Sequence, residues 1–118
     1  MSTQEFISEL YHDIKKSEII YKEYLDSGKK FKHARQLKII NSKIWESLIQ
    51  NKQLLSSELQ KDSTALIEHY KIWTEKWESL EKELNPLPDD EFVFQNDHTF
   101  PKLAAKNIEQ AYFKLNIK

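Results

Sequence analysis

A chain of 118 residues has one glycine, Gly28, and three prolines, none before Pro86. No other feature constrains its fold as strongly. Tight hairpins prefer Asn-Gly or Asp-Gly, and phosphate-cradling loops need several glycines where backbone meets phosphate. One glycine builds neither, so dinucleotide and P-loop sites are excluded. Proline breaks helices by removing a donor and crowding the preceding turn, and the first 85 residues lack it. The chain reads as all-α.

The apolar pattern divides it. Ser2 and Glu5 in "STQE" have capping-box form. Ile7, Tyr11, Ile14, Tyr21 and Leu25 follow in one stripe, with Leu10 and Tyr24 beside it, and Gly28 sits where a left-handed residue ends a helix. A first helix is predicted over about 3–27. A second stripe runs Leu37, Ile40, Ile44, Leu48 and Leu55; a third runs Leu66, Tyr70, Trp73, Trp77, Leu80 and Leu84 in 4-3-4-3-4 steps, ended by "NPLPDD".

The two stripes nearly share a phase, so residues 31–84 fit one helix of ~80 Å as an alternative. "SSELQKDST" (56–64) argues for a break, because its Ser, Asp and Thr favour caps over helix interiors. The expected fold is an antiparallel three-helix bundle, about 3–27, 31–58 and 63–85. A loop (86–100), in which "EFVF" is extended at most briefly, leads to a short C-terminal helix over about 101–115 with Pro101 in its first turn. One domain spans 1–118, with residues 1–85 as its core and 101–118 docked on it. The last helix presents Ala104, Ile108, Ala111 and Leu115.

The second helix carries apolar residues off its main stripe: Ile39, Ile49 and, to one side, Trp45. A helix apolar on two sides is covered on two sides, either by the returning C-terminal helix or by another chain. Trp45 suits an interface, and these three form the candidate protein interface.

"GKKFKHARQLK" (28–38) is the candidate anion-binding segment, through Lys29, Lys30, Lys32, Arg35 and Lys38. It overlaps a helix start, where the macrodipole disfavours cations. Residues 75–91, around the end of the third helix, hold seven acids against two lysines. In an antiparallel bundle the two clusters meet at one pole and offset each other, which accounts for the run without an external anion. The net charge of −1 supplies no field for nucleic acid.

Polar residues on or near the apolar stripes form a candidate buried layer: Glu18, His33, Asn41, Asn51 and His69, with Asp62 at a stripe centre. A buried polar group left unpaired costs ~1–3 kcal/mol, so a satisfied layer fixing helix register is expected. A small-ligand or metal pocket is the alternative, identified by two or more of these side chains converging on one cavity. Trp73, Trp77 and Tyr70, at heptad spacing, read as core. "ELYH" (9–12) spells the Glu-x-x-His of di-iron bundles, but it lies roughly 140–160° from Ile14 on the wheel, on the solvent side. "DDEF" (89–92) with Asp97 and His98 lacks calcium-loop spacing and reads as an acidic loop.

The absence of cysteine excludes thiol nucleophiles and Cys-zinc sites. No Ser-His-Asp arrangement is recognisable from spacing. "MSTQEFISELYHD" has no basic stretch followed by an apolar run, and no segment approaches the ~20 apolar residues of a membrane span. The expectation is a cytoplasmic, non-enzymatic helical bundle without cofactor. It acts through a protein partner or self-association, with anion or nucleic-acid binding and a core ligand pocket as alternatives.

Overall fold

The computed structural model describes residues 1–94 and 99–116. Its helices are α1 (Thr3–Asp26), α2 (Phe31–Asn51), α3 (Ser57–Leu84) and α4 (Lys102–Asn116), with a 3₁₀ turn at Lys52–Leu54. No strand occurs among the described residues beyond an isolated bridge between Lys30 and Glu91 in the expected extended stretch.

The ends of α1 follow the sequence. Ser2 and Glu5 close a capping box, and the Ser2 hydrogen bonds hold the Glu5 carboxyl below its ordinary pKa. Gly28 follows at φ +84°, with Lys29 also left-handed at φ 60°. At the end of α3, Asn85 takes φ 42° and its N–H bonds to the carbonyl of Glu81 just before Pro86.

The single helix over 31–84 does not form. The molecule is 46 Å in its longest dimension, well short of the ~80 Å such a helix needs. The reversal lies at 52–56, earlier than the Ser, Asp and Thr cluster at 56–64 suggested. Ser56 alone acts as a cap, accepting from the Leu59 N–H, and the Gln60 side chain donates to the Leu55 carbonyl at 2.9 Å. The rest of the cluster is helical, with tertiary partners for Asp62 and Thr64, while the Ser63 hydroxyl is buried without a hydrogen bond among the described residues. Asp62 accepts from Asn107 of α4 at 3.1 Å, and Thr64 accepts from Lys52 and donates to the Gln60 carbonyl.

The helices α1, α2 and α3 run up, down and up. In the groove between α1 and α3, α4 returns antiparallel to both; Tyr11 stacks on Tyr112 at 4.1 Å, and Lys15 meets Glu109 at 2.9 Å. From the other side α2 packs against the same two helices. The returning helix therefore does not cover the outer surface of α2, where Ile39 and Ile49 are 63% and 54% exposed; Trp45 is half-buried.

The core follows the stripes in part. Leu10, Ile44, Leu48, Leu66 and Ile108 are almost wholly buried, as is Phe6 outside the predicted first stripe. The stripe residues Tyr21, Leu25 and Leu84 lie toward the helix ends and are exposed. Phe31, Trp77 and Phe92 close one pole, with ring centroids 5.1–5.7 Å apart. At this pole the start of α2 has no side-chain cap, and the 86–94 segment supplies its acceptors. Phe31 N–H bonds to the Asp90 carbonyl at 2.8 Å and Lys32 N–H to that of Pro88 at 2.9 Å. The expected meeting of basic and acidic clusters occurs here, with Lys32 on Asp89 at 3.2 Å and Lys38 on Glu78 at 3.4 Å. These pairs are solvated and select topology more than they stabilise it.

Candidate functional site

The groove between α1 and α3 is longer than the helix that fills it. At 1.5 Å per residue, α4 with 15 residues spans about 22 Å, against about 36 Å for α1 and 42 Å for α3. Residue pairing places α4 along the half nearest the 52–56 turn. The other half is left as a cleft of about 690 Å³. Its walls come from α1 (Tyr11, Ile14, Ser17, Tyr21, Tyr24), α3 (His69, Tyr70, Trp73, Trp77), the deeper α2 residues Ala34, Leu37 and Asn41, and Phe94 and Phe100 of the connecting segment. Lys15, Glu18, Lys102, Lys106 and Glu109 also line it. Tyr21, 50% exposed, and the exposed Glu18, Lys102 and Lys106 show that it opens to solvent.

Eight of the lining residues are aromatic. Trp73 and Trp77 are core residues as their spacing predicted, and they are also cleft wall. Phe94 packs edge-on to Trp73 at 5.3 Å, and Phe100 packs edge-on to His69 at 5.1 Å. The cleft therefore offers flat apolar surface on several sides.

Three of the five predicted layer residues, Glu18, Asn41 and His69, reach this cleft. Asn41 is buried and accepts from the Ser17 hydroxyl at 2.6 Å. His69 is buried between Tyr70 and Phe100. Burial, and secondarily the Glu18 carboxylate, push the Tyr70 phenol far above its ordinary pKa, so it stays protonated.

The remaining layer residues need correction. Glu18 is exposed because α4 begins too late to cover that turn of α1. Asn51 is half-buried and donates to the Ser47 carbonyl of its own helix at 3.0 Å. His33 is half-buried in the first turn of α2 and does not line the cleft, with Nδ1 buried and unpartnered among the described residues. No single layer crosses the bundle.

Of the basic segment, Lys32 and Lys38 are engaged by Asp89 and Glu78, and the Lys38 ammonium also lies 5.0 Å above the Trp77 ring. Arg35 and Lys38 line a second, open cavity together with Glu46 and Glu81, and Lys29, Lys30 and Lys32 are not among its lining residues. His12 is exposed, bonds the Ser8 carbonyl and packs edge-on to Tyr112. Asp90 accepts from the Leu87 N–H at 2.8 Å. Asp97 and His98 lie outside the described residues. Among the described residues no three His, Cys, Asp or Glu side chains are grouped to hold a metal, and no helix is long and apolar enough to cross a membrane.

Sequence reading missed Ser17, Tyr24, Phe94 and Phe100 as cleft residues. The available signal was the aromatic excess of the first and third stripes, Tyr11, Tyr21, Tyr24, Tyr70, Trp73 and Trp77, which core packing explained equally well. No family model, curated protein or solved structure matches this chain.

Proposed function

We propose that the protein binds a small, largely apolar molecule in the cleft between α1, α3 and the start of α4. One observation carries this reading: Glu18, Asn41 and His69, from three different helices, meet at a single aromatic-walled cavity. Its volume falls within the ~300–1,000 Å³ of small-molecule sites, which are mostly apolar with a few placed polar groups.

A neutral fluorescent probe, N-phenyl-1-naphthylamine, tests it. Saturable binding with a rise in probe emission is expected, with quenching of tryptophan emission because Trp73 and Trp77 form the wall. Ala105→Trp, a half-buried lining residue, fills the cleft and is expected to weaken binding at least tenfold. Absence of saturable binding, or binding unchanged in a folded Ala105→Trp protein, overturns the reading.

A second reading, protein–protein contact or self-association through Ile39, Trp45 and Ile49, is supported by the exposure of Ile39 and Ile49 away from α4. Light scattering across a concentration series tests self-association. A monomer at all concentrations removes that form of it.

A further inference from the structure

Among the described residues, the charges that line the cleft do not balance. Lys15 faces two carboxylates, Glu109 at 2.9 Å and Glu18 at 3.6 Å, and the three together carry a net −1. The contact with Glu109 holds the Lys15 ammonium protonated above its ordinary range, so this cation is already engaged. Lys102 and Lys106 add two positive charges to the same lining, and neither makes an ion pair among the described residues.

Both lysines stand where a helix disfavours them. They are four residues apart on α4, a spacing at which like charges repel. Lys102 is the first residue of that helix, where the macrodipole is positive, and the first turn contains no acid. The basic run at 28–38 has its counter-charges in Asp89 and Glu78; this pair has none among the described residues. The uncompensated charge lines the mouth of an aromatic cavity.

We propose that the molecule bound in the cleft is an amphipathic anion whose acidic group is recognised by Lys102 and Lys106 while its apolar body lies between the aromatic walls. This rests on the small-ligand reading above and adds the charge of the ligand to it. The polar groups deeper in the cleft fit the division. Asn41 is already bonded to Ser17 and the Tyr70 phenol is neutral, so the free charge is confined to the rim. A carboxylate on an aromatic or alkyl body is the simplest chemistry that meets both ends.

Three probes with the same naphthalene body separate the terms: 1-naphthaleneacetate, 1-naphthaleneacetamide and 2-(1-naphthyl)ethylamine. Affinities are measured at pH 7.5 and low salt by tryptophan quenching. The acetate is expected to bind about three- to tenfold tighter than the amide, since two exposed lysines each contribute modestly, and the ammonium is expected to bind weakest. In Lys102→Gln/Lys106→Gln the acetate should fall to the affinity of the amide, whose own binding stays unchanged and reports an intact cleft. High salt should narrow the difference in the parent protein. Equal binding of acetate and amide, failure of the acetate where N-phenyl-1-naphthylamine binds, or a preference that survives the double substitution overturns the inference and leaves the cleft reading standing. Failure of the neutral probe overturns the cleft reading itself.

Discussion

The Tyr24 hydroxyl donates to the carbonyl of Phe92 and accepts from the N–H of Phe94 at 3.2 Å, so one side chain of α1 holds the segment that follows α3. The ring is buried and burial raises its pKa, which keeps the donor proton in place. Phe92 is thereby seated against Phe31 and Trp77, and Phe94 against Trp73 on the cleft wall. Order at one edge of the cleft depends on this phenol.

Tyr24→Phe keeps the ring and removes both bonds, leaving a buried carbonyl without its partner. A loss of about 1–3 kcal/mol is expected, read by urea denaturation. Hydrogen exchange of the Phe94 amide should accelerate more than that of α2 amides.

Ser17 and Asn41 form a cross-helix pair at the floor of the cleft. Ser17→Ala strands the Asn41 carbonyl oxygen and should cost about 1–3 kcal/mol. Ser17→Ala with Asn41→Leu removes both polar groups and should recover most of that loss. A double-mutant cycle in urea gives the coupling directly.

Gly28 has φ +84° and open space around a Cβ added there. The cost of Gly28→Ala is therefore conformational and not steric against neighbours, at about 1–2 kcal/mol. Gly28→Asn should cost less, because Asn tolerates the left-handed region. Thermal melts of the two variants check the order.

Tyr70 sets an alkaline limit. Its folded pKa lies above the ordinary 10.0, so the stabilisation linked to its proton is fully present below pH 10 and is lost as pH rises from there toward the folded value. Each pH unit in that window removes about 1.4 kcal/mol. Urea midpoints should fall steeply above pH 10, and Tyr70→Phe should flatten that limb. Absorbance at 295 nm should show one tyrosine titrating only with unfolding.

The outline of the bundle was legible because its signals are local. Gly28 ends α1, and Asn85 before Pro86 ends α3. The 4-3 spacing of Leu66, Tyr70, Trp73 and Trp77 places the buried face of α3. The lysine-rich start of α2 and the acids after α3 predicted their own meeting, since each is unfavourable where it stands. The site was only half legible. Asn41 and His69 stood out as polar residues on apolar faces, but Tyr21, Tyr24 and Trp73 looked like ordinary stripe residues, and Phe100 fell in the loop.

What the sequence by itself determined is which residues are helical and which face of each helix is apolar, because periodicity belongs to a single helix. Tertiary structure decided what covers those faces. Within the polar cluster at 56–64, Asp62 and Thr64 found partners in Asn107 and Lys52 and lie in the helix, and the reversal falls at 52–56. The fourth helix chose the groove between α1 and α3 over the back of α2, and at 15 residues it is too short to fill that groove. The cleft is the difference between two helix lengths, a quantity that no single stripe contains.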